Sequence, residues 1–578
     1  MTPRRRSGAV VRMLAAWVVG VSSIGVLCQT PPAAAAAPVA AGSILDLQRS
    51  RTSTSVELVA SGSSPVRATL TQLNPAANAW LLLTLASSDL RHSETYHLEN
   101  AEPARQRVEL DVAHPGALII EAEGRADACV LWPGAALAQA RASQVPYASL
   151  CGGRLYLRNE VHGHRTTLEA ATEFLRDHVW QGERIIELVR RDVYQDAFIR
   201  HGTPASAPVT EPTAASGAPP AARVAADRAT PTLAADGLGI DVGATTAFMP
   251  GRWVAATGVP GVYVSLVQPK AVIAVEPRGA VLDPVEADAL DYLVAFDLSE
   301  LALGFSLGTE HPRLGWSPRV LDARRGASSP GPDGIDSAAP LVRTGMVSPA
   351  LRARTVATFA AGFKREHGAF RYGALATVNR GSHYGFVEQG VTFSTLEPGL
   401  ATVYVLDDGT VGMKTWSRAD DVLLGRLRHA RQNGVALVER GATAATSVAG
   451  PLVNQWAAGN WSGSSDEQLR TLRAGACLLE RDGRQFLVYG YFSSATPRAM
   501  AHVFLAYGCS YAMHLDMNAL EHTYLALYPR SGDQRGLEHL IDGMNVLDQT
   551  VGSTQLPRFL GVADDRDFFY LTTRKDLP

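Results

Sequence analysis

From Tyr511 to Asn518 the chain alternates strictly, with Tyr511, Met513, Leu515 and Met517 on one side and Ala512, His514, Asp516 and Asn518 on the other. Successive side chains of a strand point to opposite faces, so a strand here carries an imidazole, a carboxylate and a carboxamide in a row. Bulky apolar residues flank the segment and an apolar helical pattern precedes it, which predicts a central strand. A carboxylate buried there needs a partner or a task. His514, Asp516 and Asn518 are therefore the first candidates for chemistry, against the plainer reading of the polar face of a solvent-exposed strand.

Three further groups have the right residue types. Gly362 to Gly368 is a glycine-flanked bend that holds Lys364, Glu366 and His367 together, a poor core segment and a reasonable site loop. Gly308-Thr309-Glu310-His311-Pro312 ends an alternating run, where side chains commonly project into a cleft; a solvated turn is the alternative in both cases. Arg473 opens another apolar run, and its planar guanidinium suits a phosphate or a carboxylate.

Several chemistries lack their ligands. The chain has no HExxH, no paired CxxC and no glycine-rich Lys-Ser/Thr loop. Gly508-Cys509-Ser510-Tyr511-Ala512 has the letters of a nucleophile elbow, but that motif requires strand, turn, then helix, and here the helix comes first.

The elements that must position these groups are partly readable. Thr496 caps a helix with Pro497 in its first turn; Met500, Val503, Phe504 and Tyr507 form its apolar stripe and Gly508 ends it. Strands are expected over 262–266, 293–298, 301–307, 401–406 and 486–489, with Asp408-Gly409 and Asp482-Gly483 as hairpin turns. Short alternating runs over 43–154 predict a small β-sandwich. Thr166 and Glu169 then form a capping-box pair at the head of one helix, and 185–193 forms a second.

With 578 residues, 46% of them hydrophobic and 19% charged, the chain can bury more than one core and is not disordered. A net charge of -3 is too even for an electrostatic grip on nucleic acid or anionic lipid. Arg4, Arg5, Arg6 and Arg12 precede an apolar run over 13–28 and an alanine-rich stretch, the pattern of a signal peptide, so a periplasmic or extracellular protein with no transmembrane segment in the mature chain is expected. In that compartment Cys129 with Cys151 and Cys477 with Cys509 are the expected disulfides, four buried thiols being the alternative. The expected division is a leader over 1–42, a β-rich unit ending in two helices over 43–201, an Ala/Pro/Thr-rich linker over 202–237 and a mixed α/β unit over 238–578. The fold class is accordingly α+β. Residues 324–340, rich in Gly, Ser and Pro, read as an exposed insertion.

The ordered series over 262–527 resembles the phosphodiester glycosidase domain, the family that includes the lysosomal uncovering enzyme. The likeness is carried by Gly308-Thr309-Glu310-His311-Pro312, Ala361-Gly362-Phe363-Lys364, His367-Gly368, Tyr372-Gly373, Asp407-Asp408-Gly409 leading to Trp416, Arg431-Gln432-Asn433, Arg473-Ala474-Gly475 and Ala512-Met513-His514-Leu515-Asp516-Met517-Asn518. Many relatives have Asn-Gly-Gly-Phe where this chain has Ala360-Ala361-Gly362-Phe363, and Asp followed by glycines where it has Asp516-Met517-Asn518.

The resemblance implies hydrolysis of a sugar-1-phosphodiester in envelope polysaccharide, with a carbohydrate or glycosyl-phosphate as substrate. It implies Asp516 as nucleophile or general base, His514 or His367 as orienting or proton-donating imidazole, and Glu310 as a reserve carboxylate. Arg473 becomes the phosphate clamp, with Asn518, Lys364, Tyr372 and His522 as further substrate contacts. No cofactor is implied, and the part of a divalent cation is left open. The competing reading is a non-catalytic envelope protein that binds polysaccharide or serves as a scaffold.

Overall fold

The computed structural model describes residues 42–58, 66–87, 92–111, 116–132, 134–178, 197–205, 217–224, 232–272, 282–317, 320–365, 384–441, 443, 446–453 and 470–574. The leader, the 185–193 helix, His367 and Tyr372 lie outside these residues. Beyond residue 40 the chain is one compact unit.

The expected α+β class is overturned: strands make up 42% of the chain and helices 15%, which makes the fold mostly β. The reason lies in the connections. The named strands pair antiparallel, some through tight hairpins and others between segments far apart in the chain; parallel α/β layers would need a helical crossover at each step. Asp482 and Gly483 take positive φ in the hairpin between Thr471–Arg481 and Arg484–Ala495, as that turn requires. One crossover does run through a helix, Pro497–Ala506. It lets Arg484–Ala495 and Tyr511–Met517 flank Thr471–Arg481 on opposite sides, each antiparallel to it. The helix is capped as its sequence predicts, Ala499 N donating to Thr496 Oγ1 at 3.2 Å, with Gly508 left-handed beyond its end.

Near the N-terminus a six-stranded sheet from Thr52 to Arg158 and a three-stranded sheet (Gln106–Leu110, Ala117–Ala122, Arg125–Val130) share a core of Leu70, Leu83, Leu98, Val108, Leu118, Ile120 and Leu157. A larger core lies under an eight-stranded sheet containing Tyr511–Met517 and two five-stranded sheets, one built on Phe568–Thr573 and Thr355–Ala360, the other on Leu427–Gln432 and Ala401–Leu406. Burial of this much apolar surface is the main force holding the sheets together.

A buried polar knot joins the first sheet to the rest. Arg158 stacks 4.0 Å over Trp80, pairs with Glu99 at 2.5 Å and donates to Val342 O at 3.1 Å. Both expected disulfides are formed, Cys129–Cys151 and Cys477–Cys509. No helix among the described residues is long and apolar enough to cross a membrane. Residues 324–340 are not exposed throughout: Ile335 is buried, and Asp333 pairs with Arg365 at 3.1 Å and accepts from Ser394 and Thr395.

Candidate active site

Tyr511–Met517 is buried on both faces, so its polar row meets protein on every side. Asp516 is fixed by two donors. Its Oδ1 accepts from Met517 N at 2.8 Å and its Oδ2 from Arg566 Nη1 at 2.8 Å. Arg566 spreads its remaining nitrogens over two further groups, Nη2 lying 2.8 Å from His522 Nε2 and Nε 2.5 Å from Glu169 Oε1. One guanidinium thus holds Asp516, His522 and Glu169 around itself, the multidentate geometry for which arginine is suited. Asp516, Arg566 and Glu169 side chains are 6%, 5% and 3% exposed, and His522 at 23% is the outlet to the surface.

His522 Nδ1 lies 2.6 Å from Met517 O, which makes Nδ1 the protonated nitrogen and Nε2 the acceptor for Arg566. Burial first and Arg566 second lower its pKa, so the ring is neutral. His514 is also neutral, its pKa pushed well down by burial and then by Arg473. Its ring stacks on Phe363 at 4.9 Å, with Nδ1 3.3 Å from Leu515 O and Nε2 3.2 Å from Arg473 Nη1. Both nitrogens are used within the protein.

A second charged layer adjoins the first through the run Asp564-Asp565-Arg566-Asp567. Asp567 accepts from Arg431 Nε at 2.7 Å, and Arg431 Nη1 donates to Asn433 Oδ1 at 2.7 Å. The Asn433 carboxamide in turn donates to the carbonyls of His514 and Leu515, locking this layer to the central strand. Gly362 has φ 149°, and a Cβ there would sit 2.7 Å from Arg431 Nη1, so only glycine lets that guanidinium approach. Asp564 forms a two-pronged pair with Arg558 at 2.6 and 2.9 Å. Lys364 Nζ is 3.4 Å from Asp565, and Arg165 Nε is 3.5 Å from the same carboxylate.

The segment before Thr167–His178 closes over this cluster. His164 N donates to Ala563 O at 2.8 Å, Asp565 N donates back to His164 O at 3.2 Å, and Gly163 N donates to Thr309 Oγ1 at 3.0 Å. Thr166 caps the helix as expected, accepting from Glu169 N at 3.1 Å. The Glu169 side chain, read from the sequence as the other half of a capping box, goes to Arg566 instead. Burial raises its pKa, but Arg566 and then Arg558 outweigh this and hold it well below the usual carboxylate range.

Of the residues singled out in the sequence, Asp516, His514, Lys364 and His522 come together here, with Arg473 behind His514. Arg473 is fully buried and donates to Ala495 O at 2.7 Å, so the guanidinium nearest to Asp516 is that of Arg566, not Arg473. Asn518 has φ 81°, which ends the alternation, and its Oδ1 accepts from Thr471. Glu310 is half exposed and pairs with Arg165 at the outer rim. The sequence reading missed Arg566, Asp567 and Glu169. The available signal was four consecutive charges set directly against the apolar run Phe568–Leu571, which a solvated turn does not explain.

No protein-family model matches the chain, and no curated protein matches it in sequence. Among solved structures it is similar to the zebrafish N-acetylglucosamine-1-phosphodiester alpha-N-acetylglucosaminidase catalytic domain, auto-inhibited by its pro-peptide. The identity is 11%, the match covers 49% of this chain and 84% of that one, and the TM-score is 0.27. It is also similar to an exported protein from Burkholderia pseudomallei, at 12% identity, 49% and 74% coverage and a TM-score of 0.17. Both TM-scores are too low to argue a shared fold; the chain has a distant structural neighbour that is a hydrolase.

Proposed function

We propose that this protein is an extracytoplasmic hydrolase of glycosyl phosphodiesters and that Arg566 and Asp516 are the centre of its site. The observation that supports the reading is the immobilised Asp516 carboxylate beside a guanidinium that binds anions on more than one side. A sugar-1-phosphodiester puts a negative phosphate next to a carbon that becomes positive as the bond breaks. Arg566 is suited to the first charge and Asp516 to the second. Glu169 sits where an anionic ligand of Arg566 would bind, so substrate entry requires the 163–169 segment to yield. The two disulfides fit an oxidising compartment.

One observation favours the alternative of a non-catalytic envelope scaffold: Asp516, Arg566 and Glu169 are already paired with one another and shielded from water. The two readings separate in a hydrolysis assay. Wild type and Glu169→Gln, offered methyl diesters of glucose 1-phosphate and N-acetylglucosamine 1-phosphate in both anomers, release reducing sugar if the first reading holds. Silence from both proteins on the whole panel supports the scaffold.

A further inference from the structure

We infer that the Cys129–Cys151 disulfide is a redox latch on the first pair of sheets: a dithiol opens it in the folded protein and loosens the strand Arg125–Val130, while Cys477–Cys509 stays closed. The two bridges have opposite surroundings. Cys477 and Cys509 are fully buried, and the strand that carries Cys477 has a partner strand on each side. Cys129 and Cys151 instead both line an open trough of about 610 Å³, together with Val130 and Val145, which are 71% and 45% exposed. Cys129 is buried and Cys151 is partly exposed, so Cys151 is the sulfur a reagent reaches.

The trough lies where two sheets end. Arg125–Val130 is the last strand of the three-stranded sheet and Tyr147–Leu150 the last of the six-stranded one. The disulfide ties one edge to the other. The Arg154–Asp127 ion pair at 2.7 Å also spans the gap, but with side chains 35% and 61% exposed it adds little. The turn that presents Cys151 is left-handed over three residues, with φ 52° at Cys151, 68° at Gly152 and 86° at Gly153. Glycine enters that region freely, whereas a cysteine does so against its own Cβ, so the latch is held by a strained turn. Exposed and strained disulfides are the ones that thiols open first.

Opening takes two electrons, and the dithiol supplies them. One of its thiolates attacks the Cys151 sulfur from the trough; the bond between the cysteine sulfurs breaks and its electron pair leaves on Cys129, which takes up a proton. The second thiolate of the reagent then attacks the mixed disulfide, which closes the reagent's own disulfide and releases Cys151 to be protonated in turn. Arg154, whose Nε donates to Cys151 O at 3.3 Å, sets a positive charge on the same trough and favours the thiolates. The part that is loosened follows from the hairpin. Glu123 and Gly124 take positive φ in the turn closed by Ala122 and Arg125, so Arg125, Asp127 and Cys129 direct their amides towards Ala117–Ala122. Leu131 N continues that series by donating to Gly116 O at 3.0 Å. With the latch open, this ladder is the strand's remaining tie to a neighbouring strand.

The test exposes the oxidised full chain to dithiothreitol at neutral pH without denaturant, traps free thiols by alkylation over time, locates them by mass spectrometry and follows amide exchange in the same samples. Cys129 and Cys151 are expected to be alkylated at least about 100-fold faster than Cys477 and Cys509, whose bridge is reached only through wider unfolding. Exchange at Asp127, Cys129 and Leu131 is expected to quicken about tenfold as the latch opens, with residues 471–517 unchanged. Cys129→Ser combined with Cys151→Ser is expected to show the same exchange pattern with no reductant present. Equal rates for the two bridges, earlier loss of Cys477–Cys509, resistance of both short of unfolding, or reduction of Cys129–Cys151 with exchange over 125–131 unaltered would each overturn the latch.

Discussion

Glu169 and Arg566 are 397 positions apart in the sequence, yet their side chains meet at 2.5 Å at the centre of the charged cluster. This contact brings the Thr167–His178 helix against the charged cluster. Because Arg566 holds the Glu169 pKa down in spite of burial, the pair's stabilisation is present above the ordinary Glu value near 4.3 and is lost only as pH falls through the lowered one. Mild acid therefore does not release it.

Replacing Glu169 by Gln frees Arg566 for a substrate phosphate. KM for a hydrolysed diester is expected to fall on the order of 10- to 100-fold, in line with one charge-assisted hydrogen bond of roughly 1.5–3 kcal/mol, with kcat little changed. Steady-state kinetics on the two proteins checks this; an unchanged or higher KM would show that Glu169 does not compete for the anion.

Asp291 concerns stability instead. It is fully buried in the eight-stranded sheet, and burial followed by Glu286 raises its pKa well above the ordinary value, the Ser493 backbone N–H only partly offsetting them. A raised carboxylate pKa means that the fold prefers the protonated form. Its contribution is full below the unfolded value near 3.9 and fades as pH rises towards the folded one. Asp291→Asn imitates the neutral form, so it is expected to stabilise the protein at neutral pH by on the order of 1 kcal/mol and to be nearly neutral at pH 4. Thermal melts of both proteins at the two pH values measure the difference; a lower Tm for the variant at neutral pH would refute it.

The Cys477–Cys509 bridge ties the Thr471–Arg481 strand to the end of the Pro497–Ala506 helix across 32 residues. Removing it by Cys477→Ser with Cys509→Ser is expected to cost about 3–4 kcal/mol through the freed unfolded chain. Denaturant unfolding of the oxidised parent and the double variant reads this directly, and equal midpoints would contradict it.

Much of the local structure was legible because its signals are local. Thr496, Pro497 and Gly508 mark a helix within a dozen residues, and Asp482-Gly483 requires a turn whatever surrounds it. The fold class was not legible. The capped Pro497–Ala506 helix is conspicuous in the sequence, whereas the antiparallel pairing of strands from distant segments is not. In the site, alternation identified His514 and Asp516 but ran one residue too far, because nothing nearby announces the left-handed Asn518. Arg566 and Glu169 escaped for the opposite reason: each has a satisfactory local explanation, a charged turn and a helix cap, and their pairing exists only once distant segments meet.

The central claim is that Asp516 acts on the sugar of a glycosyl phosphodiester, and the most direct measurement is reducing-sugar release by Glu169→Gln with and without Asp516→Asn. The account predicts release by the first protein and a kcat at least about 100-fold lower in the double variant, with both proteins folded. No release by either protein, or equal rates from both, would contradict it.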